Sequence, residues 1–74
     1  MSRIVALGEV DRLWGLALAG ADVAPAEDPA AARAAWGSLG ADVGLVILTP
    51  AARAALGPDE LGPRGQRLWV VMPV

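Results

Sequence analysis

Residues 3–20, which read RIVALGEVDRLWGLALAG, decide the fold expected for this chain. Ile4 to Leu7 form an apolar run without polar alternation, which is typical of a strand covered on both faces in a parallel sheet. Beyond Gly8, apolar residues recur at helical spacing, at Val10, Leu13, Trp14 and Ala17. The stretch therefore predicts a first strand, a glycine turn, and a helix that packs its apolar stripe on the sheet.

The ends of this first helix carry matching signals. Glu9 and Asp11 lie in its first turn, where a carboxylate opposes the positive end of the helix dipole. Gly20 follows the last periodic residue and is expected to cap the carboxyl end. The helix is therefore expected to begin near residue 9 and to stop at Gly20.

The rest of the chain repeats this alternation of strand and helix. Asp28–Pro29 and Thr49–Pro50 each combine an N-cap oxygen with a proline at the first helical position. Residues 58–65 read as a loop with at most one helical turn, at 59–61. The patterns predict strands at 21–24, 43–48 and 67–72, and helices at 29–39 and 51–56.

Strands that alternate with helices imply right-handed crossovers and an all-parallel sheet. We expect one α/β domain over residues 1–74, with four strands in the order 2-1-3-4. This order places the weak second strand at an edge. It places the two strongest apolar runs, Ile4 to Leu7 and Val43 to Leu48, together in the middle.

The composition excludes several classes of function. The 74 residues contain no histidine, cysteine or lysine, so a histidine general base, a serine or cysteine triad, a thiolate metal site and a disulfide framework are all excluded. Six arginines are scattered among eight acids, which is not the basic patch of a nucleic-acid-binding protein. No apolar run reaches the roughly 20 residues of a membrane span and no signal peptide is evident, so we expect a cytoplasmic location.

The carboxyl ends of the first and third strands form the crevice where open α/β sheets bind ligands. Gly8, Glu9, Asp11 and Thr49 are expected there. Neither dinucleotide nor phosphate-loop motif is present, and two carboxylates would repel phosphate. A receiver-type magnesium site would also need an aspartate after the third strand and a lysine, which the chain lacks. We expect no catalytic residue, no metal and no cofactor, and we assign both acids to the first turn of the helix.

Three tryptophans, Trp14, Trp36 and Trp69, are the only aromatic residues. The helical spacing of Trp14 and Trp36, and the position of Trp69 within a strand, favour burial in the core. Tryptophan is also the residue most enriched at binding hot spots, so Trp14 and Trp36 remain candidates for partner contact.

The first stretch also resembles a known family. Gly8, Glu9, Asp11, Gly15, Leu18, Ala19 and Gly20 give the pattern G-[acidic]-x-[acidic]-x-x-x-G-x-x-L-A-G after a strand. This pattern resembles the opening of the small globular subunit in the central stalk of the V-type and A-type rotary ATPases, or ATP synthases. The chain departs from that family in having Glu9 where aspartate is common and Leu16 where an aromatic residue is common.

The resemblance implies a small Rossmann-like, three-layer domain and a mechanical role without catalysis. It implies a central-stalk rotor subunit of a proton-translocating ATPase that binds the coiled-coil stalk subunit and reaches the membrane only through the complex. The expected partner-binding residues are Glu9, Asp11, Trp14 and Trp36. The alternative is a free-standing ligand-binding or receiver-like regulator, whose site would be the crevice at Glu9 and Thr49.

Members of that family usually continue into a further C-terminal helix, whereas this sequence stops at Val74. The resemblance therefore covers the N-terminal domain of the family. A surface that such a helix covers would be apolar if left bare, and we expect it to favour self-association of the isolated chain.

Overall fold

The structure, a computed structural model, describes residues 3–61 and 67–73. Strands and helices alternate along these residues, except that a single helical turn, α4, also precedes the last strand. The elements in chain order are β1 (Arg3–Gly8), α1 (Val10–Leu18), β2 (Asp22–Pro25), α2 (Pro29–Gly37), β3 (Val43–Leu48), α3 (Pro50–Ala55), α4 (Pro58–Leu61) and β4 (Leu68–Val71).

The four strands form one parallel sheet in the order β2-β1-β3-β4, which confirms the predicted topology. β1 and β3 are central and adjacent. Ile4 pairs with Leu45 and Leu45 with Leu68, while Ala6 pairs with Ile47 and Ile47 with Val70. These two rows of side chains therefore cross three neighbouring strands on one face of the sheet.

The main core lies on the other face. Val5, Leu7, Val46 and Leu48 point to that face, where α2 and α3 pack against each other and against the sheet. Trp69 of β4 is half-buried and packs against the same cluster. Because successive strand residues alternate between faces, this core uses every second residue of the two central strands.

Helix α1 stands alone on the face opposite α2 and α3, where it packs on β1 and β2. Leu13 is its one buried residue, at 1% exposure. The helix ends as predicted at Gly20, which adopts φ 102°. The N–H groups of Gly20 and Ala21 donate to the carbonyls of Ala17 and Leu16, so the turn has the hydrogen bonds of a Schellman motif.

Two helices begin with the predicted caps. Asp28 Oδ1 accepts a hydrogen bond of 2.7 Å from Ala31 N–H at the start of α2. Thr49 Oγ1 accepts one of 3.2 Å from Ala52 N–H at the start of α3. In each case proline follows the cap residue, where its missing N–H leaves no donor unsatisfied.

Some expectations about burial were wrong. Ile4 is 47% exposed, so β1 is not covered on both faces along its whole length. Trp14 is 63% exposed and not in the core, because α1 rests on the sheet mainly through Leu13. Helix α2 ends at Gly37, two residues earlier than predicted. The predicted loop after Leu61 falls on residues 62–66, outside the described part.

Candidate functional site

The crevice between β1 and β3 is occupied by the chain's own side chains. Thr49, fully buried, donates a hydrogen bond to the carboxylate of Glu9. A Cβ on Gly8 would lie 2.8 Å from Thr49 Cβ and closer still to its Oγ1, so the threonine side chain packs directly against the glycine. The geometry brings three of the predicted crevice residues together, but it does so by packing them against each other.

The bond from Thr49 is the main cause that holds the pKa of Glu9 below its ordinary value, and the N–H of Glu9 itself and Arg12 act in the same direction. Partial burial opposes them. Glu9 thus remains a carboxylate at neutral pH and acts as an acceptor inside the fold. It precedes α1 but does not cap it; Glu27 accepts the hydrogen bond from Val10 N–H instead, at 2.9 Å.

A small cavity lies next to this crevice, on the side of α2 and α3. Its volume is about 100 Å³, and it is lined mainly by alanines with the carboxylates of Glu9, Glu27 and Asp28 at its rim. Ligand pockets commonly measure about 300 to 1,000 Å³. Its size and negative rim therefore suit neither a nucleotide nor another phosphate ligand, and a receiver-like site gains no support from this geometry.

The second predicted aromatic contact, Trp36, has an internal role. Its indole N–H donates to the carbonyl of Glu60 at 2.6 Å, which holds α2 against α4. The Arg67 guanidinium lies 5.9 Å from its ring centroid. Trp36 is half-buried against the core, on the opposite side of the sheet from α1. It therefore cannot share one contact surface with Trp14.

Helix α1 is the most exposed apolar element among the described residues. From Leu13 to Gly20 it and its cap read LWGLALAG, without one polar side chain. Trp14 is 63% exposed and Leu18 88% exposed. A surface helix normally shows polar residues on its outer side, and one that is apolar all round is usually buried. Three of the four predicted partner-binding residues belong to this helix or directly precede it, namely Glu9, Asp11 and Trp14.

Beside α1 lies an uncovered part of the sheet, here named the open strip. It consists of Ile4, Leu45, Ile47, Leu68 and Val70, which are neighbours across β1, β3 and β4 on the side of α1. Leu68 is 66% exposed and Val70 49% exposed, and no described helix packs on this part of the sheet. Sequence patterns did not reveal the strip, because an unalternated apolar strand is expected to be covered on both faces.

Charges are sparse around the open strip and α1. The two salt bridges found within residues 3–61 and 67–73 both belong to Arg3, which contacts Asp22 at 3.0 Å and Asp42 at 2.7 Å. Arg12 instead donates to the carbonyl of Pro73, at 3.3 Å. The exposed surface formed by α1 and the strip is thus apolar, with its charges at one end. This is the composition expected of a contact surface for another protein.

The helices of the described residues include none that is long and apolar enough to cross a bilayer. Comparison of the chain with protein-family models, curated proteins and solved structures found no significant match.

Proposed function

We propose that this chain is a non-catalytic protein-binding subunit, and that its place is the central stalk of a V-type or A-type proton-translocating ATPase. There it would act as the small globular stalk subunit and bind the coiled-coil stalk subunit, at the cytoplasmic side of the membrane and peripheral to it. The observation that carries the proposal is the exposure of α1, an apolar helix, within the same residues that resemble that family.

The bare apolar side chains of α1 support binding of a protein. Trp14 and Leu18 are among the exposed large hydrophobic residues of the domain. Complete burial of one such side chain contributes about 1.5 to 3 kcal/mol. A partner that presents an apolar helical ridge would gain this contribution, and a coiled-coil stalk presents long helices of that kind. Trp14 is then the expected anchor of the contact.

The sheet topology is compatible with the same proposal. The resemblance implies a small Rossmann-like domain, and the sheet has the order β2-β1-β3-β4 with helices on both sides. In such a subunit ATP hydrolysis belongs to other components of the complex, so the chain needs no catalytic group or phosphate site of its own.

Co-purification with the coiled-coil stalk subunit tests the proposal directly. We expect the wild-type chain to retain that partner and to melt at a higher temperature when the partner is added, because a protein that binds only the folded state stabilises it. Trp14→Glu should weaken binding by at least about tenfold, since a charge would replace an anchor worth about 2 kcal/mol or more.

Ala34→Glu provides the matched control, because Ala34 is an exposed residue of α2 on the opposite side of the sheet. It should leave binding of the coiled-coil stalk subunit unchanged. Failure of the wild-type chain to bind that partner at about 100 μM would refute the stalk assignment. Equal binding by the Trp14 and Ala34 variants would refute the role of α1.

A further inference from the structure

The open strip and α1 have matching widths. Neighbouring strands lie about 4.8 Å apart, so the part of the strip formed by β3 and β4 is about 10 Å wide. An α-helix is also about 10 Å across, and helices pack at about 8 to 10 Å. The strip therefore has room for one helix beside α1, in the same layer.

We infer that this helix is α1 of a second copy of the chain. In the dimer each α1 would lie on the open strip of the other copy. The two α1 helices would run parallel, side by side, in one layer between the two sheets, with a two-fold axis between them. Such an arrangement is isologous and closed, because the same surface serves both copies. This inference is independent of the proposed stalk role.

Apolar side chains match at one end of the arrangement. Helix α1 leads from the carboxyl end of β1 back toward the start of β2, so Leu18 lies near the amino ends of the strands. The residues of the open strip at that end are exposed: Ile4 by 47% and Leu68 by 66%. Leu18, exposed by 88%, would cover both residues in the other copy. All three side chains would then leave water together.

Charges match at the other end. With Leu13 pointing to its own sheet, helical spacing turns Asp11, Gly15 and Leu18 outward. The same spacing turns Arg12 toward the open strip, where it donates to the carbonyl of Pro73. Neither Asp11 nor Arg12 forms a salt bridge among the described residues. The two-fold axis places Asp11 of each copy over Arg12 of the other, which gives two symmetric ion pairs.

The area available sets the affinity. The strip, two strands wide and four residues long, and the outer side of α1 together offer a flat footprint of about 300 Å² per copy. A standard interface takes about 800 Å² from each partner, so this contact belongs to the small class. Neither surface alone approaches that value, and only the reciprocal use of both surfaces brings the contact near it. We expect a dimer with a Kd on the order of 10 to 100 μM.

Sedimentation equilibrium of the wild-type chain between roughly 5 μM and 1 mM should show a change from the mass of one 7.5 kDa chain to that of two. Leu18→Glu should raise the Kd at least about tenfold, because a carboxylate would lie on the apolar strip of the other copy. Leu18 is exposed in the single copy, so this variant keeps the fold, and circular dichroism checks that it does. Ala34→Glu, on the opposite side of the sheet, should leave the Kd unchanged.

A charge exchange tests the geometry independently. Asp11→Arg and Arg12→Asp, each made alone, would place like charges opposite each other and should raise the Kd about fivefold or more. The double variant restores opposite charges across the axis and should return the Kd to within about threefold of the wild-type value. A merely structural role of either residue would show no such recovery.

The outcomes are distinct. A chain that stays monomeric to about 1 mM overturns the inference, as does a dimer that Leu18→Glu leaves intact or a charge exchange that does not restore association. A strictly monomeric chain that still binds the coiled-coil stalk subunit would overturn this inference and leave the proposed function standing. A dimer with the expected variant pattern that does not bind that partner would have the opposite meaning.

Discussion

Thr49 joins the end of β1 to the start of α3 through Glu9. Its hydroxyl donates to the Glu9 carboxylate, and its Oγ1 accepts a hydrogen bond of 3.2 Å from Ala52 N–H. Thr49 is fully buried, whereas Glu9 is partly exposed. One side chain thus caps a helix and fixes the carboxylate at the crevice, which gives it a structural role at the place where open α/β sheets bind ligands.

Thr49→Val should lower the free energy of unfolding by about 1 to 3 kcal/mol. Valine has the same shape but offers no oxygen, so α3 loses its cap and Glu9 loses its donor. Thr49→Ser keeps the hydroxyl and should lose less stability. Urea denaturation at neutral pH measures both variants, and a valine variant as stable as the serine variant would contradict this account.

Stability should also depend on pH through Glu9. The pKa of Glu9 is lower in the folded state than in the unfolded chain, chiefly because of the bond from Thr49. The unfolded state therefore binds the proton more readily. This contribution is fully present above about pH 4.3, the ordinary glutamate value, and is lost as the pH falls below it toward the folded value.

Glu9→Gln should remove that part of the acid dependence. Urea midpoints measured from about pH 6 to pH 3 would show a shallower decline for the variant than for the wild-type chain. Parallel declines of the two proteins would mean that the Thr49–Glu9 bond does not contribute to acid sensitivity.

Gly8→Ala should be strongly destabilising. Gly8 has φ 151°, which residues with a Cβ rarely adopt, and the new Cβ would lie 2.8 Å from Thr49 Cβ. Backbone strain and overpacking each cost about 1 to 3 kcal/mol. Gly15→Ala is the matched control, because it lies within α1 with no atom within 4 Å of its new Cβ. It should stabilise the chain by about 0.5 to 1 kcal/mol, and thermal melts should therefore move in opposite directions.

Two leucines of α1 should differ in their effect on stability. Leu13→Ala should cost about 2 to 5 kcal/mol, because Leu13 is 1% exposed between the helix and the sheet. Leu18→Ala should change the stability of the single copy by less than about 0.5 kcal/mol, because Leu18 is 88% exposed. Denaturation at a few micromolar, below the expected dimer Kd, makes the comparison. Equal losses would mean that α1 packs on the sheet with a different face.

Neither ATP nor magnesium should bind at physiological concentrations. The cavity near the crevice is small and has carboxylates at its rim. The crevice itself offers the carboxylate of Glu9, which would repel phosphate. Isothermal titration calorimetry should give no Kd below about 100 μM for either ligand. A tighter constant would favour the alternative of a ligand-binding or receiver-like regulator over the stalk subunit.

The sequence by itself determined the elements and their order. Unalternated apolar runs, the Asp28–Pro29 and Thr49–Pro50 caps, and the stop at Gly20 are local signals, because each depends on residues only a few positions apart. The handedness of crossovers then left few topologies, and the order 2-1-3-4 was among them.

Only the tertiary structure decided which apolar residues are covered. The repeat of Val10, Leu13, Trp14 and Ala17 predicts an apolar side of the helix. How far that side reaches over the sheet depends on where α1 sits relative to strands distant in the chain. With α1 over β1 and β2 alone, Trp14 and the open strip stay exposed. Hydrophobic periodicity records what a residue prefers, whereas coverage depends on non-local packing, and this is why the candidate contact surface emerged only from the fold.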